Sequence, residues 1–486
     1  MPVVRELCLI AGGIGSGLKS KFIRMINSGK HRGRDSFGVW TDEGTLKSYS
    51  FSEVSGIPDG SIGLLQCRLA MVGSPEHTQP FINELALVHN GEIYNHVPVR
   101  NYLRRQGVGF ESDVDSEVIL RLIEHLFERG LSPPDAVRRI MLMLDGDYAV
   151  AFSDRERIYL FRDPVGIRPL YYSPGGFFAS EKKVLWSIGE EAFPVKPGHL
   201  VELSAEGIKV HRIFNLNELN GRTFGFRRAE EALIKSLEHS TRVRSGKKVG
   251  VLFSGGLDSS LLAFLASKYS SVVLYTAGAE GSQDLEWARR TSEELGLKLR
   301  EFVFDIDDVE EAVGKVIYAI EDPNAMNLAI GIPLYFATKL ASEDGIKVLL
   351  SGQGADELFG GYYKYLKSPH LMEEDILNLG ERNLARDDKI AMLNSVEGRF
   401  PFLSLNLIRI AMRIPPDYKI HLGIRKYILR KAAIRLGLPE EVALREKKAC
   451  QYGTNSQKLL EKIAKRHGMR LSSYARRVFE EVFKQN

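Results

Sequence analysis

VGVLFSGGLDSSLLA, Val249 to Ala263, carries three local signals in one short run. Val249, Val251, Leu252 and Phe253 form the apolar run of a strand covered on both faces. Ser254, Gly255 and Gly256 allow a tight turn in which the backbone approaches a ligand closely. Asp258, Ser259 and Ser260 open a helix continued by Leu261, Leu262 and Phe264, whose free N–H groups and dipole favour an anion. The serine hydroxyls add donors, and Asp258 suits a magnesium ion carried on phosphate oxygens. An ordinary capped strand–turn–helix accounts for a lone glycine pair, but less well for three serines, two glycines and an aspartate together. The run also lacks the Gly-Lys-Ser/Thr ending of a Walker A loop.

After this run the chain alternates strand and helix. Val272–Ala277, Lys298–Phe304 and Lys347–Ser351 read as strands, and Asp284–Leu295, Ile306–Ile320 and Leu328–Lys339 as helices. Such alternation predicts a parallel sheet with helices on both faces and ligands at the carboxyl ends of its strands. The turn at Ser254, the pair Ala277–Gly278 and SGQGADELFGGY (Ser351–Tyr362) all follow strands, which makes each a ligand segment. The run Val249–Ala263 resembles the pyrophosphate loop of the ATP pyrophosphatases, which split ATP into AMP and pyrophosphate. With SGQGADELFGGY beside it, the resemblance narrows to the asparagine synthetases and β-lactam synthetases. It implies that Ser254, Gly255, Gly256, Ser259 and Ser260 hold phosphate. Leu252, Ala277, Ser351 and Gly352 would line the adenosine, and Asp258 and Asp356 would hold Mg²⁺.

SVEGRFPFL (Ser395–Leu403) resembles the family's VEARVPFLD, with Glu397 and Arg399 as active-site groups or as a buried ion pair. GIRKYILRKA (Gly423–Ala432) and LREKKACQYGT (Leu444–Thr454) continue the match. Lys447 falls where the family has the lysine that neutralises the α-phosphate and leaving pyrophosphate, with Lys448 adjacent. Gln353 stands where the family often has a glutamate proposed to help handle the ammonia nucleophile, and an amide accepts no proton at neutral pH. In the acceptor stretch IEDPNAMNLAIGIPLY (Ile320–Tyr335), Asn327, Leu328 and Gly331 replace the usual threonines and serines. The last thirty residues read as a basic amphipathic helical tail without an assigned role.

The N-terminal half begins and ends in strands, with helical periodicity at Val114–Arg129 and Pro134–Met143. That order suggests two stacked sheets with helices outside. CLIAGG (Cys8–Gly13), HRGRDSFGVW (His31–Trp40), CRLAMVG (Cys67–Gly73), LVHNGEIYN (Leu87–Asn95) and SDVDSEVIL (Ser112–Leu120) resemble the class II glutamine amidotransferases. In these N-terminal-nucleophile (Ntn) hydrolases a terminal cysteine attacks glutamine and its own α-amine is the base. The resemblance makes Cys8 the nucleophile, and Asn90 and Gly91 the oxyanion donors. Arg68 is the partner of the glutamine carboxylate, and Asp115 with Glu92 receives its ammonium group. MPVVREL precedes Cys8, so residues 1–7 read as a propeptide to be removed; the alternative is that Cys8 is a small buried hydrophobe. RDPVGIRPLYY (Arg162–Tyr172) reads as a structural turn around Arg162, Asp163 and Gly166.

The expected fold class is α/β and α+β. An αββα Ntn sandwich occupies 8–220, and a parallel α/β ATP-pyrophosphatase (adenine nucleotide alpha hydrolase-like) domain occupies 221–486. The joint order implies a glutamine-hydrolysing asparagine synthetase using ATP and Mg²⁺, with ammonia passing inside the protein. Another acceptor carboxylate, free ammonia as donor, or a non-catalytic regulatory relative stays open. The 486 residues carry a net charge of only +4, which gives no argument for nucleic acid or membrane partners. Three cysteines without disulfide or zinc spacing, and the want of any long apolar run, suggest a cytoplasmic protein acting on small molecules. The oligomeric state stays open, a homodimer included.

Overall fold

The computed structural model describes residues 5–72, 78–445 and 450–484. The chain divides into two compact units, Met1–Glu218 and Leu219–Asn486.

In the first unit the strand Arg5–Ile14 pairs antiparallel with Ile62–Val72 on one side and Phe177–Ala179 on the other. Ser36–Thr41 continues that sheet beyond Ile62–Val72. A second sheet runs Ala86–Ile93, Gly146–Ser153, Ile158–Arg162, His199–Ser204 and Gly207–Arg212, all antiparallel. One bridge, Glu6 opposite Gly91, joins the two sheets. Side chains alternate along a strand, and the first strand shows what that does. Cys8 and Ile10 enter a core with Ala86, Val88, Ala149 and Leu160 between the sheets. Leu9 and Ala11 enter a core with Phe22, Met25 and Ile26 of the helix Leu18–Gly29 on the outer face. The opposite outer face carries the helix Asp115–Glu128, whose Phe127 ring lies 6.1 Å from Phe152. The result is the helix–sheet–sheet–helix order expected.

Two helices of this unit, Leu18–Gly29 and His96–Arg105, are absent from the reading of the sequence. Both start without a side-chain cap, the first from Gly17 in a left-handed conformation and the second from Asn95. Their starting signals are therefore weak. The first strand also begins at Arg5 rather than Cys8. Asp163 accepts from the N–H groups of Val165, Gly166 and Ile167, and the Arg162 guanidinium donates to the carbonyls of Arg168, Gly166 and Val195. That segment is a turn pinned by its own backbone.

The second unit holds a five-stranded sheet, in the order Lys298–Phe304, Ser271–Ala279, Lys248–Leu252, Val348–Leu350, Glu397–Arg399. Every pairing in it is parallel. The helix Ala325–Glu343 starts before the Leu328 expected from periodicity, because Asn324 caps it by accepting from the N–H groups of Met326 and Asn327. The C-terminal helices Ser456–Arg466 and Leu471–Lys484 close a core with Ile306–Ile320, Leu460, Ile463 and Tyr474 being buried there. The basic tail thus has a packing role. The fifth strand, Glu397–Arg399, is missing from the reading because three residues carry too little periodicity.

A buried polar chain crosses the sandwich core. Gln66 Nε2 lies 2.8 Å from Cys8 Sγ, and Gln66 Oε1 accepts from the Gln79 N–H. Gln79 in turn bonds the His89 backbone and Ser116 Oγ, and His89 Nδ1 lies 3.0 Å from the same hydroxyl. Burial, with the Arg168 guanidinium nearby, pushes the His89 imidazole down to about 3. Unfolded, its pKa is about 6.5. The neutral ring therefore contributes stability that is complete above about pH 6.5 and is lost as pH falls toward about 3. Urea midpoints should drop between about pH 7.5 and pH 5, and His89→Gln should flatten that drop. An equal drop in both proteins would contradict a neutral buried His89.

Candidate active sites

In the first unit the expected residues come from neighbouring strands. Cys8 pairs in register with Arg68, and both are buried. The Cys8 N–H donates to Asn90 Oδ1 at 3.2 Å. That contact turns Asn90 Nδ2 into a buried donor with no acceptor among the described residues. An unmet buried donor costs about 1–3 kcal/mol. Gly91 has φ +139°, and a Cβ there would sit 1.9 Å from the Asp147 carbonyl oxygen, so only glycine fits. Asp115 opens its helix and accepts from the Ile93 N–H at 2.8 Å, which ties it to the Asn90–Gly91 strand. Glu92 is buried on that strand.

Glu181 gathers His31 and Arg32 at 2.9 Å each and Lys183 at 2.5 Å. Burial opposes its ionisation, but these cations outweigh burial and hold the Glu181 carboxyl well below its usual range. Arg32 Nε reaches the Cys8 carbonyl at 3.4 Å, so this ion cluster also fixes the backbone that bears the thiol. Gln66 and Glu181 went unmarked in the sequence. Gln66 precedes the CRLA motif and Glu181 opens EKK, and neither type stands out without the contact that gives it a role.

In the second unit a cavity of about 1110 Å³ opens at the carboxyl ends of the parallel strands. Leu252, Ala277, Ser351 and Gly352 line it, as do Ser254, Asp258, Ser259 and Asp356. Gly255, Gly256 and Ser260 shape the turn behind that wall. Gly255 has φ +62° and abuts the Trp287 carbonyl, and Ser260 is buried in the first turn of the helix Leu257–Ser267. Arg445 donates to the carbonyls of Ser254 and Gly255, and its guanidinium lies 4.1 Å from the Trp287 ring. The turn is thereby braced from its carbonyl side.

The two aspartates converge. Lys426 Nζ lies 2.7 Å from Asp258 Oδ2 and 2.6 Å from Asp356 Oδ1. Burial alone would depress the lysine, but Asp258 and Asp356 more than offset it and hold its ammonium above the usual range. Gly361 makes room for the pair, since a Cβ there would lie 1.8 Å from Asp356 Oδ1 and 2.4 Å from Lys426 Cε. Asp258 Oδ1 is buried without a donor among the described residues. Burial, with Asp356 adjoining, raises the Glu357 carboxyl to about 7, and Tyr362 donates to it at 2.9 Å. Glu397 takes the other course. It pairs with Arg399 at 2.8 Å and is not among the cavity's lining residues. Lys447, and Lys448 beside it, lie outside the described residues. Lys426 sits in the quoted GIRKYILRKA run but was given no role, because nothing in a sequence shows that a lysine folds back between two distant acids.

The arrangement in each unit matches what comparison finds. The family model for asparagine synthase matches residues 229–376 and 367–485, and a glutamine amidotransferase domain model matches 66–187. The chain is 36% identical to "Putative asparagine synthetase (glutamine-hydrolyzing) 1" of Methanocaldococcus jannaschii, over 95% of this chain and 96% of that protein. It is 31% identical to asparagine synthetase (glutamine-hydrolyzing) 2 of Arabidopsis thaliana, over 90% of this chain and 76% of that one. It is 30% identical to "Probable asparagine synthetase (glutamine-hydrolyzing)" of Schizosaccharomyces pombe, over 79% and 76%. With Asp258 and Asp356 meeting at Lys426, and the buried Cys8 bonded through its N–H to Asn90, the chain belongs to the asparagine synthase family.

Proposed function

We propose that this protein hydrolyses glutamine and uses the ammonia to convert aspartate to asparagine, with ATP split to AMP and pyrophosphate. The observation that carries the reading is the convergence of Asp258 and Asp356 on Lys426, at the strand ends where a nucleotide binds an open parallel sheet.

At the first site Cys8 N is a peptide nitrogen, and removal of residues 1–7 would turn it into an amine. That amine takes the thiol proton, and Sγ attacks the amide carbon of glutamine. Asn90 Nδ2 and the Gly91 N–H meet the oxyanion. Arg68 holds the glutamine carboxylate, and Asp115 with Glu92 holds its ammonium. As the carbonyl re-forms, the C–N bond breaks and ammonia leaves with the proton held on the α-amine, and water then releases glutamate from the resulting thioester.

At the second site Leu252, Ala277, Ser351 and Gly352 bound the adenosine. Ser254, Gly255, Gly256, Ser259 and Ser260 cradle the pyrophosphate, with cationic help from Lys426 and Lys447. The aspartate side chain attacks the α-phosphorus and pyrophosphate leaves. Ammonia then displaces AMP from the acyl-adenylate. Two carboxylates, one with an oxygen that has no donor among the described residues, are hard oxygen donors of the kind that suit Mg²⁺. Bound by Asp258 and Asp356, it would lessen the phosphate charge that opposes attack. Among the described residues no helix is long and apolar enough to cross a membrane, and all three cysteines are free thiols, which supports a cytoplasmic location. A second reading, a different acceptor acid, draws on the apolar residues Met326, Ile330 and Pro333 in the cavity wall.

Purified protein given ATP, Mg²⁺, aspartate and glutamine should yield asparagine, AMP and pyrophosphate in equal amounts. Product formation with another acid, and none with aspartate, would move the assignment to the second reading. Mass spectrometry of active protein should find Cys8 first. Cys8→Ala should abolish glutamine-dependent synthesis and spare synthesis from ammonium salts. Full glutaminase activity with residues 1–7 still attached would remove the amine base from the mechanism.

A further inference from the structure

Amide formation releases a proton as ammonia adds to the acyl carbon, and Gln353, on the cavity wall, cannot take it. The side chain instead donates: Gln353 Nε2 lies 2.7 Å from Asp387 Oδ2. Asp387 belongs to the helix Ala385–Leu393 and is only 6% exposed, yet it lines the same cavity as Asp258 and Ser351. Its other oxygen is held from within the helix. Arg386 Nε lies 2.8 Å and Arg386 Nη2 2.7 Å from Oδ1. Arg386 is itself steadied by Asn327 Oδ1 at 3.4 Å, and Asn327 by Asp322 at 2.7 Å. One oxygen is thus clamped by a guanidinium. Among the described residues the other takes one amide N–H, that of Gln353, and keeps a lone pair for a proton.

We propose that Asp387 is the proton acceptor of the amidation step, the carboxylate absent at position 353 being supplied from the neighbouring helix and aimed by Gln353. The inference rests on the acyl-adenylate chemistry proposed above. The nitrogen lone pair forms the C–N bond and the carbonyl electrons move to oxygen. An N–H proton passes to Asp387 Oδ2. The carbonyl then re-forms as the C–O bond to AMP breaks, its electron pair leaving on the phosphate oxygen, and Asp387 returns the proton to solvent. A merely structural Arg386–Asp387 pair would serve both half-reactions alike. A proton acceptor serves only the second.

Two rates separate these roles: aspartate-dependent pyrophosphate release in a single turnover without ammonia, and asparagine formation from saturating ammonium. For Asp387→Asn the first should stay within about threefold, and the second should fall by about 100-fold or more, the usual range for a lost general base. Adding Gln353→Glu to that variant should recover at least about tenfold of the lost synthesis. Equal losses in both rates, or unchanged synthesis, would overturn the proposal. If Asp387→Asn does not fold, Gln353→Leu keeps the carboxylate and removes the group that aims it. The ratio of synthesis to pyrophosphate release should then fall about tenfold, and an unchanged ratio would overturn the proposal. No aspartate-dependent pyrophosphate release from the unaltered protein would instead refute the acyl-adenylate reading, and the role of Asp387 with it.

Discussion

One buried ammonium held between two carboxylates organises the second unit. Asp258 stands in the first turn of one helix, Asp356 in the first turn of another, and Lys426 precedes a third. Burying any of these charges alone would cost several kcal/mol. Lys426 lies within hydrogen-bond reach of both carboxylates, so each acid is met by the ammonium and the ammonium by both acids. The cluster therefore joins three segments at the mouth of the parallel sheet, where Ser254 and Ser259 line the same cavity.

The first unit solves a different problem with the same economy of charge. Cys8 sits on a strand with a core on either side, a setting in which a buried thiol is ordinarily inert. Ions gathered at Glu181 fix the strand from below, and Gln66 and Asn90 reach the sulfur and the nitrogen of Cys8 from neighbouring strands. On the strand beside Cys8, Asn90 Nδ2 is a buried donor without an acceptor among the described residues, and position 91 admits only glycine.

Much of this was legible in the sequence, for physical reasons. Strand–helix alternation after Val249 has a single architectural solution, and glycine-rich turns at strand ends mark where a ligand approaches. Cys8, Arg68, Asn90, Gly91 and Asp115 could be named because the segments that carry them resemble, in the same order, those of the class II glutamine amidotransferases. What stayed hidden depends on contacts between remote segments. Lys426 looks like any basic residue in a helical run until it is seen between two acids. Asp387 lies in RDDK, a charge run that reads as a solvated face, yet Asp387 and Asp388 are both buried. The helix Leu18–Gly29 and the strand Glu397–Arg399 escaped because one lacks a cap and the other is too short to show a period.

The central claim is that Asp258, Asp356 and Lys426 frame a nucleotide site in this cavity. Calorimetric titration with Mg²⁺ and a non-hydrolysable ATP analogue tests it most directly, using the unaltered protein and Asp356→Asn. The account predicts one site per chain and a loss of at least about tenfold in affinity for the variant, as expected when one partner of a buried charge pair is removed. Equal affinity in both proteins, or no binding to the unaltered one, would contradict it.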